Sequence, residues 1–244
     1  MRELLLFQLV APLGAFGSVA VGERRETASR PSHSALAGLL AAALGLERAD
    51  PRQPAFAAGL AFATRRDRLG PLLADYHTAQ TPPARKGKSW ATRREELAGE
   101  RNTILSRRDY RTDCAFTVAS LKLETSLFDL STIAEALRHP AFTLYLGRKS
   151  CPLALPPDPL LMQTDSLAAA FLAYDERQRP ESFRDWREPS GEIGYDAHFC
   201  DFVPTTSTSR VAPRRDVVVD RKLWRFDLRE ECVLADIGRA EAAP

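Results

Sequence analysis

No C-x-x-C pair occurs in the sequence, and its four cysteines, Cys114, Cys151, Cys200 and Cys232, are widely scattered. That spacing suits neither a zinc site nor a disulfide framework. His198 and Cys200 are the nearest pair of ligating side chains, and two ligands do not complete a metal site. The cysteines therefore predict a reduced, cytoplasmic protein with no metal and no cofactor.

Long apolar runs are lacking too. The N-terminal "MRELLLFQLVAPLGAFGSVA" has the order of a signal peptide, but Glu3 spoils its charged start and Gln8 interrupts the run from Leu4 to Val10. The segment is better read as a buried first strand closed by Pro12 and Gly14. Nothing else approaches the length of a membrane span, so no membrane partner is expected.

A phosphate-binding loop of the P-loop type is also missing. Gly147 precedes Arg148, Lys149 and Ser150, but the position five residues before it is Phe142. Gly87-Lys88-Ser89 fails in the same way, with Pro82 where a glycine is required. A P-loop nucleoside triphosphatase is not expected on this ground.

Excess charge of one sign is absent: 34 Lys and Arg face 32 Asp and Glu, for a net charge of +2. Any nucleic-acid site must therefore be a local patch. Arginine far outnumbers lysine. Codon usage in a GC-rich genome accounts for most of that excess, although the guanidinium does suit bidentate phosphate contacts.

What is present is enough for a core, since 44% of the 244 residues are hydrophobic. Residues 3–11 read as a strand. "SALAGLLAAALGL" reads as a deeply packed helix with Ser34 as its N-cap, and 57–66 as a second strand. From about 69 to 108 the pattern dissolves into an inserted arm or long loop, which in a compact domain is usually functional or disordered. Residues 85–111 carry nine Lys or Arg against four Asp or Glu. "DCAFTVASLKLE" alternates as a strand, "DLSTIAEALRHP" is a capped helix, and "FTLYLG" is a short strand. A helix over 164–174 and strands near 215–228 follow.

The order strand, helix, strand, insertion, strand, helix, strand predicts an α+β protein. Its core is ferredoxin-like (RRM-like), βαββαβ, over residues 1–150, with an inserted thumb at about 70–108. Residues 151–244 form a β-rich C-terminal extension. Phe116 lacks the flanking pattern of an RNA-stacking strand and is assigned to the core. Of the histidines His33, His77, His139 and His198, His139 sits at a helix end, where a cation offsets the macrodipole. His33 or His77, with a lysine or tyrosine, could serve a metal-independent ribonuclease, although no arrangement specifies one. The cationic stretches lie at 24–34, in the arm and at 148–150, and a polyanionic strand is the ligand they suggest.

"YLGRKSCPL", together with "RPSHSALAGLLAAALGLER", "RDYRTDCAFTV" and "LFQLVAPLGAFG", resembles the CasD family within the RAMP superfamily. These are the handle-binding subunits of the type I-E CRISPR surveillance complex, Cascade. The resemblance is strong over about residues 1–155 and weak beyond. It implies a non-catalytic antiviral-defence subunit that grips the 5′ handle of the crRNA. Its neighbours would be the Cascade backbone subunits and the large PAM-reading subunit, with target DNA nearby.

The matching blocks assign RNA contacts to Arg30, Ser32, His33 and Ser34, and to Arg107, Arg108, Tyr110 and Arg111. A third block supplies Tyr145, Gly147, Arg148, Lys149 and Ser150. Thumb contacts fall to Arg85, Lys86, Lys88 and Trp90. In this reading Gly147 lets the RNA backbone approach, and Arg30, Ser32 and Ser34 bind the strand at the N-terminal end of the first helix. Two alternatives stay open: an endoribonuclease that processes repeat RNA, and a scaffold whose cations meet acidic partner surfaces.

Overall fold

The computed structural model describes residues 1–17, 20, 22–83, 87, 89–177, 191–204 and 209–234. The architecture is α+β, a large antiparallel sheet with few helices. The first strand, β1 (Arg2–Gly14), is an inner strand next to one edge. Side chains alternate between the faces of a strand, and here both faces are covered. Leu5, Phe7 and Leu9 enter one hydrophobic core, and Leu4 and Leu6 enter the other. That is why β1 reads as a continuous apolar run rather than an alternation.

On the first face lie α1 (His33–Ala43) and α4 (Leu130–Arg138), with the short α2 (Gln53–Ala58) packed on α1. Ser32, not Ser34, caps α1, its Oγ accepting from the Ala35 N–H at 3.2 Å. The helix stops at Gly45, whose φ of +78° favours glycine. The Leu46 N–H then reaches back to the Ala41 carbonyl, a Schellman-type ending. In α4 the buried residues Leu130, Ile133, Ala134 and Leu137 follow the helical repeat. The second face is covered by α5 (Leu167–Asp175), through Phe171 and Tyr174, and by a 3₁₀ turn (Ala197–Phe202). Among the described residues this part of the sheet leaves no open face for stacking bases, and Phe116 is fully buried edge-on to Phe16.

The strand β3 (Leu60–Arg68) and the 21-residue β5 (Asn102–Lys122) complete the middle of the sheet. It continues through β6 (Leu160–Thr164), β7 (Ile193–Asp196), β8 (Ser209–Asp220) and β9 (Arg225–Leu234). The order is β6-β1-β5-β3-β7-β9-β8. The two-residue β2 (Arg24–Arg25) lies parallel to β5 and is the exception to the antiparallel pattern.

Two sequence expectations change. "FTLYLG" is not a strand but a loop anchored by an isolated Tyr145–Pro152 bridge. The strand on the outer side of β1 is β6, which pairs Arg2 with Thr164 through Leu6 with Leu160. The arm is also not structureless. β4 (Leu72–Thr81) pairs antiparallel with the first half of β5, from Leu72 opposite Arg111 to Thr81 opposite Asn102. β5 therefore belongs to both the sheet and the arm. Its inner half is buried between β1 and β3, and its outer half is mostly exposed. A short helix, α3 (Arg93–Glu96), lies between the two arm strands.

Among the described residues no helix is long and apolar enough to cross a membrane.

Candidate nucleic-acid interface

The loop that follows α4 is built around buried anchors. Leu144, Leu146 and Cys151 point inward. The Leu146 N–H donates to the Cys151 carbonyl at 2.8 Å, and the Cys151 N–H to the Arg148 carbonyl at 2.9 Å. These two bonds pinch the loop and turn Lys149 and Ser150 into solvent. Gly147 has a φ of +83°. The space beside its α-carbon is filled by the Ala15 backbone. Its role is therefore internal packing, in place of the expected close approach of RNA.

Arg148 ties this loop to the root of the arm. Its guanidinium donates to the Asp109 carbonyl at 3.0 Å and to the Arg25 carbonyl at 3.2 Å. It also lies 4.6 Å from the ring centroid of Tyr110, which is buried. Tyr110 is thus a platform beneath the cation rather than an exposed stacking surface. Arg107 is exposed on β5. Arg108 Nε donates to Ser106 Oγ at 3.3 Å, and the buried Arg111 Nε has no hydrogen-bond partner. Arg24 pairs with Asp109 at 2.9 Å, and that carboxylate raises the guanidinium pKa further.

Arg148 stands between two hollows. The smaller, of 520 Å³, is bounded by Asp75 and His77 on β4, Arg108 and Tyr110 on β5, and Lys149 and Ser150. His77 Nε2 lies 2.5 Å from Asp75 Oδ2. The larger, of 1210 Å³, runs past Arg25, Ser32, Ser34, Tyr145 and Gly147. Its far wall comes from the β8–β9 hairpin, with Arg215, Arg221, Trp224 and Arg225. Three of the sequence-predicted blocks are thereby brought to one surface.

Of the predicted contacts, Arg107 and Arg111 line neither hollow, and Arg30 and His33 are buried away from both. Arg30 is 4% exposed. It pairs with Glu231 at 3.0 Å and with Glu192, so it serves to hold β9 and the segment before β7 against the core. A buried guanidinium between two carboxylates is not available to phosphate. His33 is also buried. Its Nε2 bonds to the Leu60 carbonyl at 3.0 Å, and its ring lies edge-on to Phe62. The N-terminal end of α1 is occupied as well, because the His33 N–H donates to Asp216 Oδ2 at 2.8 Å. A carboxylate already satisfies the charge preference of that helix end. Ser32 and Ser34 line the cleft, but their hydroxyls lie 3.1 Å from each other.

Asp216 in turn bonds to Arg229, which also reaches Asp196 at 2.6 Å. Burial pushes the Asp196 carboxyl above its ordinary value, while Arg229 and His33 pull against it. These groups form a buried ionic network that welds the C-terminal strands to α1. In the thumb, Trp90 is 40% exposed. Arg85, Lys86 and Lys88 lie outside the described residues.

The hairpin arginines were missed by sequence reasoning. The signal was there in "DRKLWRFD", a tryptophan flanked by three cations at 220–227. Its relation to the 145–151 loop depends on the long sheet order and could not be read from neighbouring residues.

The geometry finds company among known proteins. The family model described as "CRISPR-associated protein (Cas_Cas5)" matches residues 4–227. The "CRISPR system Cascade subunit CasD" of Escherichia coli (strain K12) is 35% identical over 159 residues. That match covers 64% of this chain and 70% of the relative. A solved chain described as "CRISPR RNA-guided surveillance complex" superposes with a TM-score of 0.59 at 29% identity, over 96% of this chain and 90% of its own. Another, described as "Crystal structure of Cas protein", gives 0.57 at 25% identity, over 95% of both chains.

Proposed function

The chain belongs to the CRISPR-associated Cas_Cas5 family, and on that premise we propose that it is the non-catalytic subunit of a type I-E Cascade that holds the 5′ handle of the crRNA. The strand order β6-β1-β5-β3, with α1 and α4 on one face, supports a ferredoxin-like core carrying the arm as its thumb. The observation that carries the RNA assignment is the position of Arg148. It lines both hollows and joins the 145–151 loop to the thumb's root. Lys149 and Ser150 on one side, and Arg25, Ser32 and Ser34 on the other, then follow one backbone. Arg107 and Arg108 extend the contact along β5. RNA pairing reads the target, and this surface holds the guide's backbone. The thumb and the C-terminal strands would face the backbone subunits and the large PAM-reading subunit. The setting is the cytoplasm.

The test is binding of single-stranded handle RNA to the full chain across a salt series. Each phosphate neutralised contributes about 0.7 to the log–log slope. Arg148→Gln with Lys149→Gln is expected to weaken binding and flatten the slope by about 1.4. An unchanged slope would overturn the assignment.

One observation favours a second reading. Tyr110, His77 and Lys149 surround the smaller hollow, with Asp75 positioned to orient His77. In an endoribonuclease, His77 would take the 2′-hydroxyl proton as the 2′-oxygen attacks phosphorus and the P–O5′ bond breaks, Lys149 or water would protonate the leaving 5′-oxygen, and Arg108 would stabilise charge on the phosphate. Incubation with repeat RNA in EDTA separates the readings. Cleavage at one position, lost in His77→Ala, establishes the enzyme; intact RNA supports the holding role. His33, enclosed and engaged, is no longer a candidate.

A further inference from the structure

The far wall of the larger cleft contains an arrangement that folding alone does not account for. Arg221, at the turn after β8, lies against α1. A β-carbon at Gly38 would sit 2.6 Å from its Nη2. Its Nε is buried and has no hydrogen-bond partner. Arg48, which is exposed, lies near enough to oppose its charge, and Arg221's pKa is lowered by burial and then by that repulsion. Neither arginine makes an ion pair among the described residues. Both lie beside the same indole: the Arg48 guanidinium is 4.1 Å from the Trp224 ring centroid and that of Arg221 is 5.7 Å. Trp224 is 56% exposed and sits at a φ of +53°, an unusual conformation for a bulky residue.

Asp216 and Asp227 line the same cleft, yet among the described residues no acidic group pairs with either arginine. Asp216 holds Arg229 and the α1 amide, Asp220 accepts from the Leu223 N–H, and Asp227 accepts from the Leu228 N–H. Two like charges, one of them with an orphan N–H, are held together without a counter-ion. Holding two like charges together is unfavourable, and an anion in the cleft relieves that repulsion. The same cleft is lined by this pair, by Tyr145 and by Arg148.

We propose that Arg48 and Arg221 form a phosphate subsite of the RNA strand, with Trp224 beside it, so that the β8–β9 hairpin closes the cleft from the side opposite Lys149. This rests on the RNA-holding function proposed above and gives the C-terminal third a part in it. Two guanidiniums on one phosphodiester make charge-assisted, geometrically fixed hydrogen bonds. The adjoining aromatic surface of Tyr145 and Trp224 suits a ribose or base.

The experiment uses the full chain and a fluorescein-labelled single-stranded RNA, read by anisotropy at several salt concentrations. Arg48→Gln, an exposed substitution, and Arg221→Gln are each expected to lower affinity about tenfold. Each should also flatten the salt slope by about 0.7. Gly38→Ala keeps every charge but displaces Arg221, and is expected to lower affinity as well. RNA should quench tryptophan fluorescence, and Trp224→Phe should abolish that component. Thermal melting of each variant verifies folding, and Arg48→Gln carries the test if the others fail to fold.

If Arg48→Gln and Arg221→Gln bind RNA as the parent does, while Arg148→Gln with Lys149→Gln binds weakly, the subsite is overturned and the RNA-holding function stands. If all bind alike, both fall. If the Arg48 and Arg221 variants lose only the binding of a polyglutamate peptide, the wall faces an acidic protein and the subsite is again overturned.

Discussion

Gly147 and Ala15 touch so closely that a β-carbon on Gly147 would lie 1.7 Å from the Ala15 carbonyl oxygen. No rotation of a side chain relieves that contact, because both partners are backbone. The glycine also holds a φ of +83°, which L-residues adopt only at a cost. Gly147→Ala is therefore expected to push the loop off β1, lowering stability by at least about 1 kcal/mol. RNA affinity should fall with it, because Arg148 leaves its seat. Urea unfolding alongside anisotropy measures both.

Arg30 should behave in the opposite way to the exposed cations. Arg30→Met removes one member of a buried network and leaves Glu231 with only Arg229 at 3.3 Å and Arg214 at 3.5 Å. Because those two arginines still compensate the carboxylate, a loss of about 1–3 kcal/mol in unfolding free energy is expected. Under native conditions the remaining folded protein should bind RNA with an unaltered salt slope. A reduced slope would place Arg30 on the RNA after all.

Tyr110 separates platform from contact. Tyr110→Phe keeps a ring beneath Arg148 and should bind RNA almost as the parent does. Tyr110→Leu removes the cation–π attraction, worth about 0.5–2 kcal/mol, and should weaken binding by several-fold. Equal loss in both variants would show that the hydroxyl, not the ring, matters.

The cysteines provide a check on burial. The Cys114 thiol is pushed up to about 12, first by burial and then by the neighbouring Cys151. Burial also raises Cys151, and Cys200 is exposed. A thiol reagent at pH 8 should modify Cys200 promptly and reach Cys114 and Cys151 only after unfolding. The folded pKa of Cys114 is raised, so the folded state holds its proton more tightly than the unfolded chain. Its contribution is fully present below pH 9 and is lost as pH rises toward about 12. Chemical unfolding repeated from pH 8 to 11 should show that decline, and it should be smaller in Cys114→Ala.

The legible parts of the sequence were those governed by local rules. β1, α1 and α4 announced themselves through apolar runs and a helical repeat, although the serine read as the cap of α1, Ser34, lies two residues beyond the one that caps it. The arm did not, because a two-stranded ribbon exposed on both faces needs no apolar alternation. Leu72, Tyr76 and Ile104 are all exposed on it. The outer strand was misplaced for a related reason. "FTLYLG" alternates like a strand, yet Gly147 turns it into a loop, while "LLMQT" at β6 is too short to stand out. Arg148 and Lys149 were singled out because they sit beside a glycine turn. Arg30 looked identical in sequence, and only its partners, Glu192 and Glu231, about 160 and 200 residues away, reveal it as internal. Arg221 and Trp224 needed the sheet order before they could be placed.

The sharing of β5 between sheet and arm has a mechanical corollary. The arm is not hung on a swivel; it is the free end of a beam whose fixed end lies in the middle of the sheet, clamped by β1 and β3. A pull at the tip is carried inward along a continuous backbone and arrives first at Arg108–Tyr110, beside the cation that separates the two hollows. Whatever seizes the tip can thus bear on the grip at the root without itself touching it.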